Sequence, residues 1–370
     1  MRTQLCERLG IEAPIFAFSH CRDVVAAVSR SGGFGVLGAL AFSPSQLETE
    51  LAWIDDHVGG KPYGVDIVMP ASIEGGDLGF DPQAFEAMIS EKHRGFVQKV
   101  LDDYGVPKLP EGEEVHAGLL GWVHEAAREQ VEIALRHPIK MIVNALGAPP
   151  RDVIDRVHKK GILIAALVGT VEQAKRQVES GVDVVVAQGT EAGGHTGEVA
   201  TMVLVPDVVD AIAPHPVLAA GGIGTGRQVA AAIALGAQGA WTGSIWLTTT
   251  ESDVHPVAVK KLLAAGSRDA VRSRSLTGKP ARQLRTPWTE VWEGPDSPGT
   301  LPMPLQFMLT AEAQTRMHRY AHVAESRASE LVGTPIGQIV GRLNEIRSTR
   351  DVIFSMVEEL EDTIARLAGR

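Results

Sequence analysis

A histidine set among closely spaced glycines is the feature of this chain best suited to chemistry. The stretch QGTEAGGHTG, Gln188 to Gly197, holds four glycines and His195 within ten residues. Glycine lets a backbone approach a planar or anionic ligand closely, and the unperturbed pKa of histidine suits proton transfer near neutrality. Taken alone, the loop reads equally well as a turn carrying a surface histidine. Glu191 is the other ionisable residue of the stretch. It is expected to orient the histidine or, better, to cap backbone N–H groups. His20 and His116 are further histidines that could face a ligand, and each reads more simply as a packed or solvent-facing residue.

Two later glycine loops suggest a phosphate site. Ala220-Gly221-Gly222-Ile223-Gly224-Thr225-Gly226-Arg227 leads into a helical stretch, and Trp241-Thr242-Gly243-Ser244 follows a further apolar run. Backbone N–H groups at the start of a short helix converge on an anion, and the helix dipole favours its charge. The first loop has the spacing G-x-G-x-G rather than the dinucleotide G-x-G-x-x-G, and no Gly-Lys-Ser/Thr follows it, so it is not a P-loop.

Elements that could position these loops alternate along residues 13 to 265. Strands are expected at Pro14 to Phe18, Gly35 to Leu40, Tyr63 to Met69, Lys140 to Ala145, Ile162 to Val168, Val182 to Gln188, Val217 to Ala220 and Ala240 to Ser244. Helices are expected at Asp23 to Ser31, Pro44 to His57, Val123 to Arg136, Asp152 to Lys160, Val171 to Ser180, Pro206 to Ile212, Arg227 to Leu235 and Pro256 to Ala265. An open doubly wound sheet would suit each unit. Eight in succession, ending in glycine loops after the seventh and eighth strands, favour a (β/α)8 TIM barrel over residues 1–265, with the active face at the strands' C-terminal ends.

Two regions depart from the repeat. Residues 70–121 form an insertion after strand three, with a helix expected from Pro82 to Leu101, and such an insertion is a candidate lid. Residues 266–370 open on a basic segment, pass through GPDSPGTLPMP and close on a helix, Thr349 to Leu367. That helix carries Val352, Ile353, Met356, Val357, Leu360, Ile364 and Leu367 on one stripe. The region has too little apolar content for an independent core and reads as a C-terminal helical cap contributing to the substrate side.

Composition narrows the function. With 370 residues, 44% hydrophobic and 22% charged, the chain is of the soluble globular type, and its net charge of -10 argues against nucleic acid as a partner. Cys6 and Cys21 are the only cysteines, with no metal-ligand spacing around them, so neither a disulfide framework nor a metal site is expected. No secretion signal or membrane span is visible, and a cytoplasmic enzyme is the expectation.

AQGTEAGGHTG and PVLAAGGIGTGRQVAAAIALGAQGAWTGS together resemble the nitronate monooxygenase family, formerly 2-nitropropane dioxygenases, which are FMN enzymes on a barrel. PIFAFSHCRDVVAAVSRSGGFGVLGA, YGVDI, VEQAKRQVESGVDVVVAQG, TGKPARQLRT and VGTPIGQIVG extend the resemblance over most of the chain outside the insertion. It implies that Gly222, Gly224, Gly243 and Ser244 hold the FMN phosphate. Gln188, Gly193, Gly194 and the backbone of Ala17, Phe18 and Ser19 would line the flavin, with Asn144 near the ring. His195 would be the catalytic acid/base or a hydrogen-bond donor to substrate. The implied reaction is oxidation of an alkyl nitronate with O2 to a carbonyl compound and nitrite, and a homo-oligomer is compatible with it. Many relatives carry Ala-Pro-Met after the first strand where this chain has Ala17-Phe18-Ser19-His20. AALVGT after strand five offers no polar side chain before Thr170.

Other readings remain open on sequence. FMN reductases of enoyl thioesters or quinones resemble the same motifs, and the insertion or the segment Arg272 to Arg285 could receive an NAD(P)H or coenzyme A phosphate. A flavin- or nucleotide-binding protein without turnover would not need the histidine beside its glycines. A purine-nucleotide dehydrogenase would need a cysteine after strand six, and a hydroxy-acid oxidase a late His-x-x-Arg pair. Neither is found.

Overall fold

The computed structural model describes residues 2–69, 82–110, 112 and 124–369. His116 and the expected helix start at Val123 lie outside them. Eight parallel strands close into a barrel: β1 (Ile15–Ser19), β2 (Phe34–Gly38), β3 (Tyr63–Asp66), β4 (Met141–Asn144), β5 (Leu163–Val168), β6 (Val184–Gln188), β8 (Val217–Ala220) and β9 (Gly239–Thr242). The ring closes where β1 meets β9, with Ala17 opposite Thr242. The expected TIM barrel is therefore present.

Alternation along the strands separates two apolar layers. Tyr63 and Val65 face outward to the helices, whereas Phe16, Phe34, Val36, Met141, Val143, Val186, Leu218 and Trp241 fill the barrel. Helix α1 (Gln4–Leu9) packs Leu5, Cys6 and Leu9 into that inner cluster, and Thr3 caps its first turn.

The surrounding helices are α2 (Arg22–Arg30), α3 (Pro44–His57), α6 (His124–Ala134), α7 (Arg151–Lys159), α8 (Val171–Ser180), α9 (Thr201–Ile212), α10 (Gly226–Ala234) and α11 (Pro256–Ala264). Helix α3 starts with the capping box that Ser43-Pro44 suggests, Ser43 and Gln46 bonding reciprocally. Helix α9 begins five residues before the expected Pro206. The missing N–H of that proline forfeits a bond to the Met202 carbonyl, on a residue 64% exposed, where water can replace it.

The expected helix from Pro82 to Leu101 is instead two, α4 (Pro82–Ala87) and α5 (Glu91–Asp103), the second with Ser90 at its N-cap position. Residues 266–370 are not helical throughout. Strands β10 (Ala270–Ser273) and β11 (Ala281–Leu284) form an antiparallel pair, followed by α12 (Pro287–Glu293), α13 (Leu305–Arg319), α14 (Ala328–Leu331) and α15 (Thr349–Leu367). Helix α15 has the expected bounds and buries Ile353, Met356 and Leu360 against the barrel core, while Leu367 ends exposed.

A second apolar core joins the insertion to this C-terminal region. Ile89, Val97 and Leu101 pack with Trp288, Trp292, Leu309 and Met317. Buried Arg316 donates to the carbonyls of Val106 (2.9 Å) and Pro107 (2.8 Å) and to Gln98 Oε1 (3.1 Å), so each segment completes the other.

Candidate active site at the barrel mouth

His195 is held by backbone far away in sequence. It forms with Gly194 the two-residue strand β7, which pairs antiparallel with β11, Ala281 opposite His195 and Arg282 opposite Gly194. The segment TGKPARQLRT is thus the splint for the loop that carries His195. Arg282 is buried within the splint, its Nε donating to the Thr190 carbonyl at 2.9 Å and an Nη to the Ala270 carbonyl at 2.7 Å. Burial, then repulsion from Arg272, lowers its pKa below the ordinary guanidinium value.

The imidazole Nε2 of His195 lies 2.7 Å from Thr277 Oγ1. Its side chain keeps an edge in solvent yet stands among crowded protein atoms, and this burial, followed by the nearby Lys279 ammonium, lowers its pKa below 6.5. The free imidazole is therefore mainly neutral at pH 7.

A cleft of about 640 Å³ runs over the loops that follow β4, β5 and β6, lined by Ala145, Leu167, Gln188, His195 and Thr196 and continuing past Gln173 toward α8. Gln188 and His195 are thus brought to one wall. Phe18, at the top of β1, lies over Trp241 with ring centroids 6.2 Å apart and against the edge of His20 at 5.1 Å. These aromatics close the apolar interior just below the mouth. Ala17 points outward into the helix layer, and Ser19 Oγ accepts from Cys21 N at 3.1 Å.

The four phosphate-loop residues divide. Strand β9 ends at Thr242, and Ser244, expected as strand, instead opens a short 3-10 helix, Ser244–Thr248. Gly243 is the N-cap of that turn without a side-chain cap, and a Cβ on it would meet nothing within 4 Å. Gly222 has φ +68°, a conformation that favours glycine, beside Glu191. The backbone at Gly243 is open, while Gly222 lies against Glu191; a cradle of loop backbone of this kind could receive a phosphate. Gly224 does not share it. Its N–H already donates to Gln228 Oε1 at 3.0 Å, and a Cβ there would press on Ile245 and Ile339 at 2.6 and 2.8 Å. Its glycine is needed for packing. Ser244 Oγ accepts from Gly337 N at 2.9 Å, tying VGTPIGQIVG to the cradle.

Other expected site residues are tied into the protein itself. The Asn144 amide is fully spent: it donates to the carbonyls of Met69 and Gly147 (both 2.9 Å) and accepts from Met69 N and Leu146 N. Asn144 thus fastens the loops after β3 and β4. Gly193 would drive a Cβ to 2.8 Å from the Ile336 carbonyl carbon, so its glycine permits packing, whereas Gly194, at φ +74°, faces open space. Glu191 accepts from Thr201 N and Oγ1, capping α9 as its acid-on-a-turn reading suggests. Among the basic residues, Arg272 reaches the Thr196 carbonyl and Glu198, and Arg285 reaches Asp269.

Asp66 was not singled out by sequence. It lies at the top of β3 inside an apolar run, 5% exposed, and its Oδ1 has no hydrogen-bond partner among the described residues. Burial alone pushes its pKa up to about 7. The available signal was a single acid interrupting an otherwise buried strand.

Comparison with known proteins accords with this geometry. The sequence model of a family described as nitronate monooxygenase matches residues 7–359. A Mycobacterium tuberculosis protein, Rv1533, whose name carries only a provisional monooxygenase assignment, is 54% identical, the match covering 100% of this chain and 99% of that protein. A Staphylococcus haemolyticus protein named as a probable nitronate monooxygenase is 26% identical over 92% of this chain and 96% of its own. Among solved structures, FabK from Thermotoga maritima superposes with a TM-score of 0.73 at 27% identity, covering 100% of this chain and 99% of its own. Nitroalkane oxidase from Streptomyces ansochromogenes shares the fold with a TM-score of 0.79 at 24% identity, covering 98% and 99% respectively. Among the described residues no helix is long and apolar enough to cross a membrane.

Proposed function

The chain belongs to the nitronate monooxygenase family and is an oxidoreductase, and from this premise we propose that it binds FMN and oxidises alkyl nitronates with O2 to a carbonyl compound and nitrite. The observation that carries the reading is His195, fixed by Thr277 on the cleft wall it shares with Gln188.

In this reading, Gly222, Gly243 and the Ser244 backbone would hold the phosphate, and the stacked Phe18 and Trp241 would offer an apolar surface to the ring. When bound, FMN supplies the redox centre between substrate and O2. The protein's part is to bind, orient and move a proton. Thr277 can give its one hydrogen to the Lys279 carbonyl, 3.3 Å away, and accept Nε2–H from His195. That arrangement leaves the Nδ1 lone pair as the base for the α-proton of a neutral nitroalkane. The positive field of Lys279, which disfavours imidazolium, also favours the anionic nitronate so formed. For the rival NAD(P)H-dependent reductase reading, Arg272, Arg282 and Arg285 are engaged within the protein while exposed Arg274 is left for a ligand phosphate, and the insertion lies partly outside the described residues.

The visible spectrum of purified protein, followed by anaerobic titration with NADPH and then a nitronate, tests the proposal. Flavin bleached only by the nitronate supports it. Rapid bleaching by NADPH would transfer the chain to the reductases, and a colourless protein unable to take up FMN would refute both.

A further inference from the structure

Asp66 stands where a barrel of this kind has no use for a charge unless something binds there. Gly64 and Asp66 alternate with outward-facing Tyr63 and Val65, so Asp66 faces the barrel interior at its C-terminal end. Its register neighbours are Gly38 on β2 and Val143 on β4. Gly38 has no side chain to cover it. The His20 ring and the tip of Phe18 occupy that space instead, 2.7 and 2.8 Å from where a Cβ would lie. His20 Nδ1 is engaged by the Gly38 carbonyl at 3.0 Å. Val143 and the following Ile67 to Met69 supply no charge. Across the mouth stand His195 and, behind it, Lys279. Among the described residues no opposite charge holds the carboxyl ionised.

A buried carboxyl oxygen without a hydrogen-bond partner is costly to keep, and a ligand that supplies the partner removes that cost. We propose that Asp66, in its neutral form, donates a hydrogen bond to the ring of the bound flavin and so makes cofactor binding and reduction dependent on its protonation. This inference rests on the FMN reading above. A flavin ring presents mainly acceptor nitrogens and carbonyl oxygens at its polar edge, with a single N–H between the two carbonyls, and it gains negative charge on reduction. A carboxylic acid satisfies such an edge, whereas a carboxylate opposes it. Asp66 is then a positioning and tuning residue rather than a proton donor in the reaction.

The test is FMN affinity of the apoprotein, followed by flavin fluorescence, in wild type and in Asp66→Asn across pH. Every other ionisable group, that of the ligand included, is common to both proteins, so the difference isolates Asp66. Between about pH 6 and about pH 8.5 wild type should lose affinity by about tenfold or more relative to the variant, since each unit beyond the pKa is a factor of ten. The pH dependence of the bound flavin's midpoint potential should likewise change in the variant. Uptake of FMN by both proteins with superimposable pH profiles overturns this inference alone, whereas no uptake by wild type at any pH removes the FMN reading with it. Should Asp66→Asn not fold, infrared difference spectra of FMN-loaded minus apo wild type decide instead. A shifted carboxylic-acid stretch that vanishes at high pH supports the proposal, and its absence at every pH overturns it.

Discussion

His195 and Thr277 stand 82 residues apart in the chain and meet at 2.7 Å between Nε2 and Oγ1. In the proposed arrangement the hydroxyl sets which imidazole nitrogen is bare, since the Lys279 carbonyl, 3.3 Å from Thr277 Oγ1, can take the hydroxyl hydrogen and leave an oxygen lone pair for Nε2–H. Removing it with Thr277→Val, close to isosteric, leaves the fold intact and frees the imidazole to rotate and change tautomer. A hydrogen bond of about 0.5–1.5 kcal/mol corresponds to a loss of roughly two- to tenfold in kcat/KM with a neutral nitroalkane. Steady-state kinetics should show that loss, with Thr277→Ser restoring most of it. An unchanged rate in the valine variant would remove Thr277 from the mechanism.

Substituting the base separates two substrates. With His195→Asn, kcat/KM for a neutral nitroalkane should fall by about a hundredfold to ten-thousandfold, the range for a positioned general base. A preformed nitronate needs no deprotonation and should suffer much less. The pH profile follows from the lowered pKa of His195. The base is active when neutral, so nitroalkane turnover persists below pH 6.5 and declines only on further acidification. Oxygen uptake measured for both substrates across pH checks both statements. Equal losses for the two would refute the base role.

The barrel was legible because each βα unit carries its own period: β8, α3 and α8 fall at their expected bounds and the other barrel strands within a few residues. The splint under His195 was not. A two-residue strand has no periodicity to read, and its partner β11 lies within a segment whose arginines suggested a ligand surface rather than internal fastening. Glycine was also ambiguous as a signal. At Gly243 it opens space, whereas at Gly193 and Gly224 it admits a neighbouring segment, and sequence alone does not distinguish a ligand's approach from the chain's own. Asp66 stayed hidden because one acid in YGVDI looks like a strand end. Only closure of the barrel turns it inward.

The same Asp66 gives the apoprotein a pH signature. Its carboxyl is raised from 3.8 to about 7 in the folded protein, so the folded state holds a proton that the unfolded chain releases. The resulting stabilisation is fully present below pH 3.8 and is lost as pH rises through about 7, by roughly 4 kcal/mol at about 1.4 kcal/mol per pKa unit. Urea unfolding of apo wild type and Asp66→Asn at several pH values should show the wild type losing ground to the variant over that window. A difference independent of pH would show that Asp66 is ionised throughout.

Two glycine-to-alanine substitutions should fail in opposite ways. At Gly193 the added methyl would lie 2.8 Å from the Ile336 carbonyl carbon and 2.9 Å from Gly337 N, both backbone, so the loop carrying His195 must separate from VGTPIGQIVG. Overpacking of this kind costs about 1–3 kcal/mol, which in a domain of this size lowers the melting temperature by several degrees. At Gly243 a Cβ meets no protein atom within 4 Å, and φ is -130°, open to any residue. The apo melting temperature of Gly243→Ala should therefore stay close to wild type while FMN affinity falls by about tenfold or more, since under the proposed reading the methyl would enter the space of the phosphate. Calorimetry of the apoproteins and flavin titration of both variants measure the two effects separately. A Gly243→Ala protein that binds FMN as tightly as wild type would move the phosphate away from this cradle, and a stable Gly193→Ala protein would mean that the two loops part without cost.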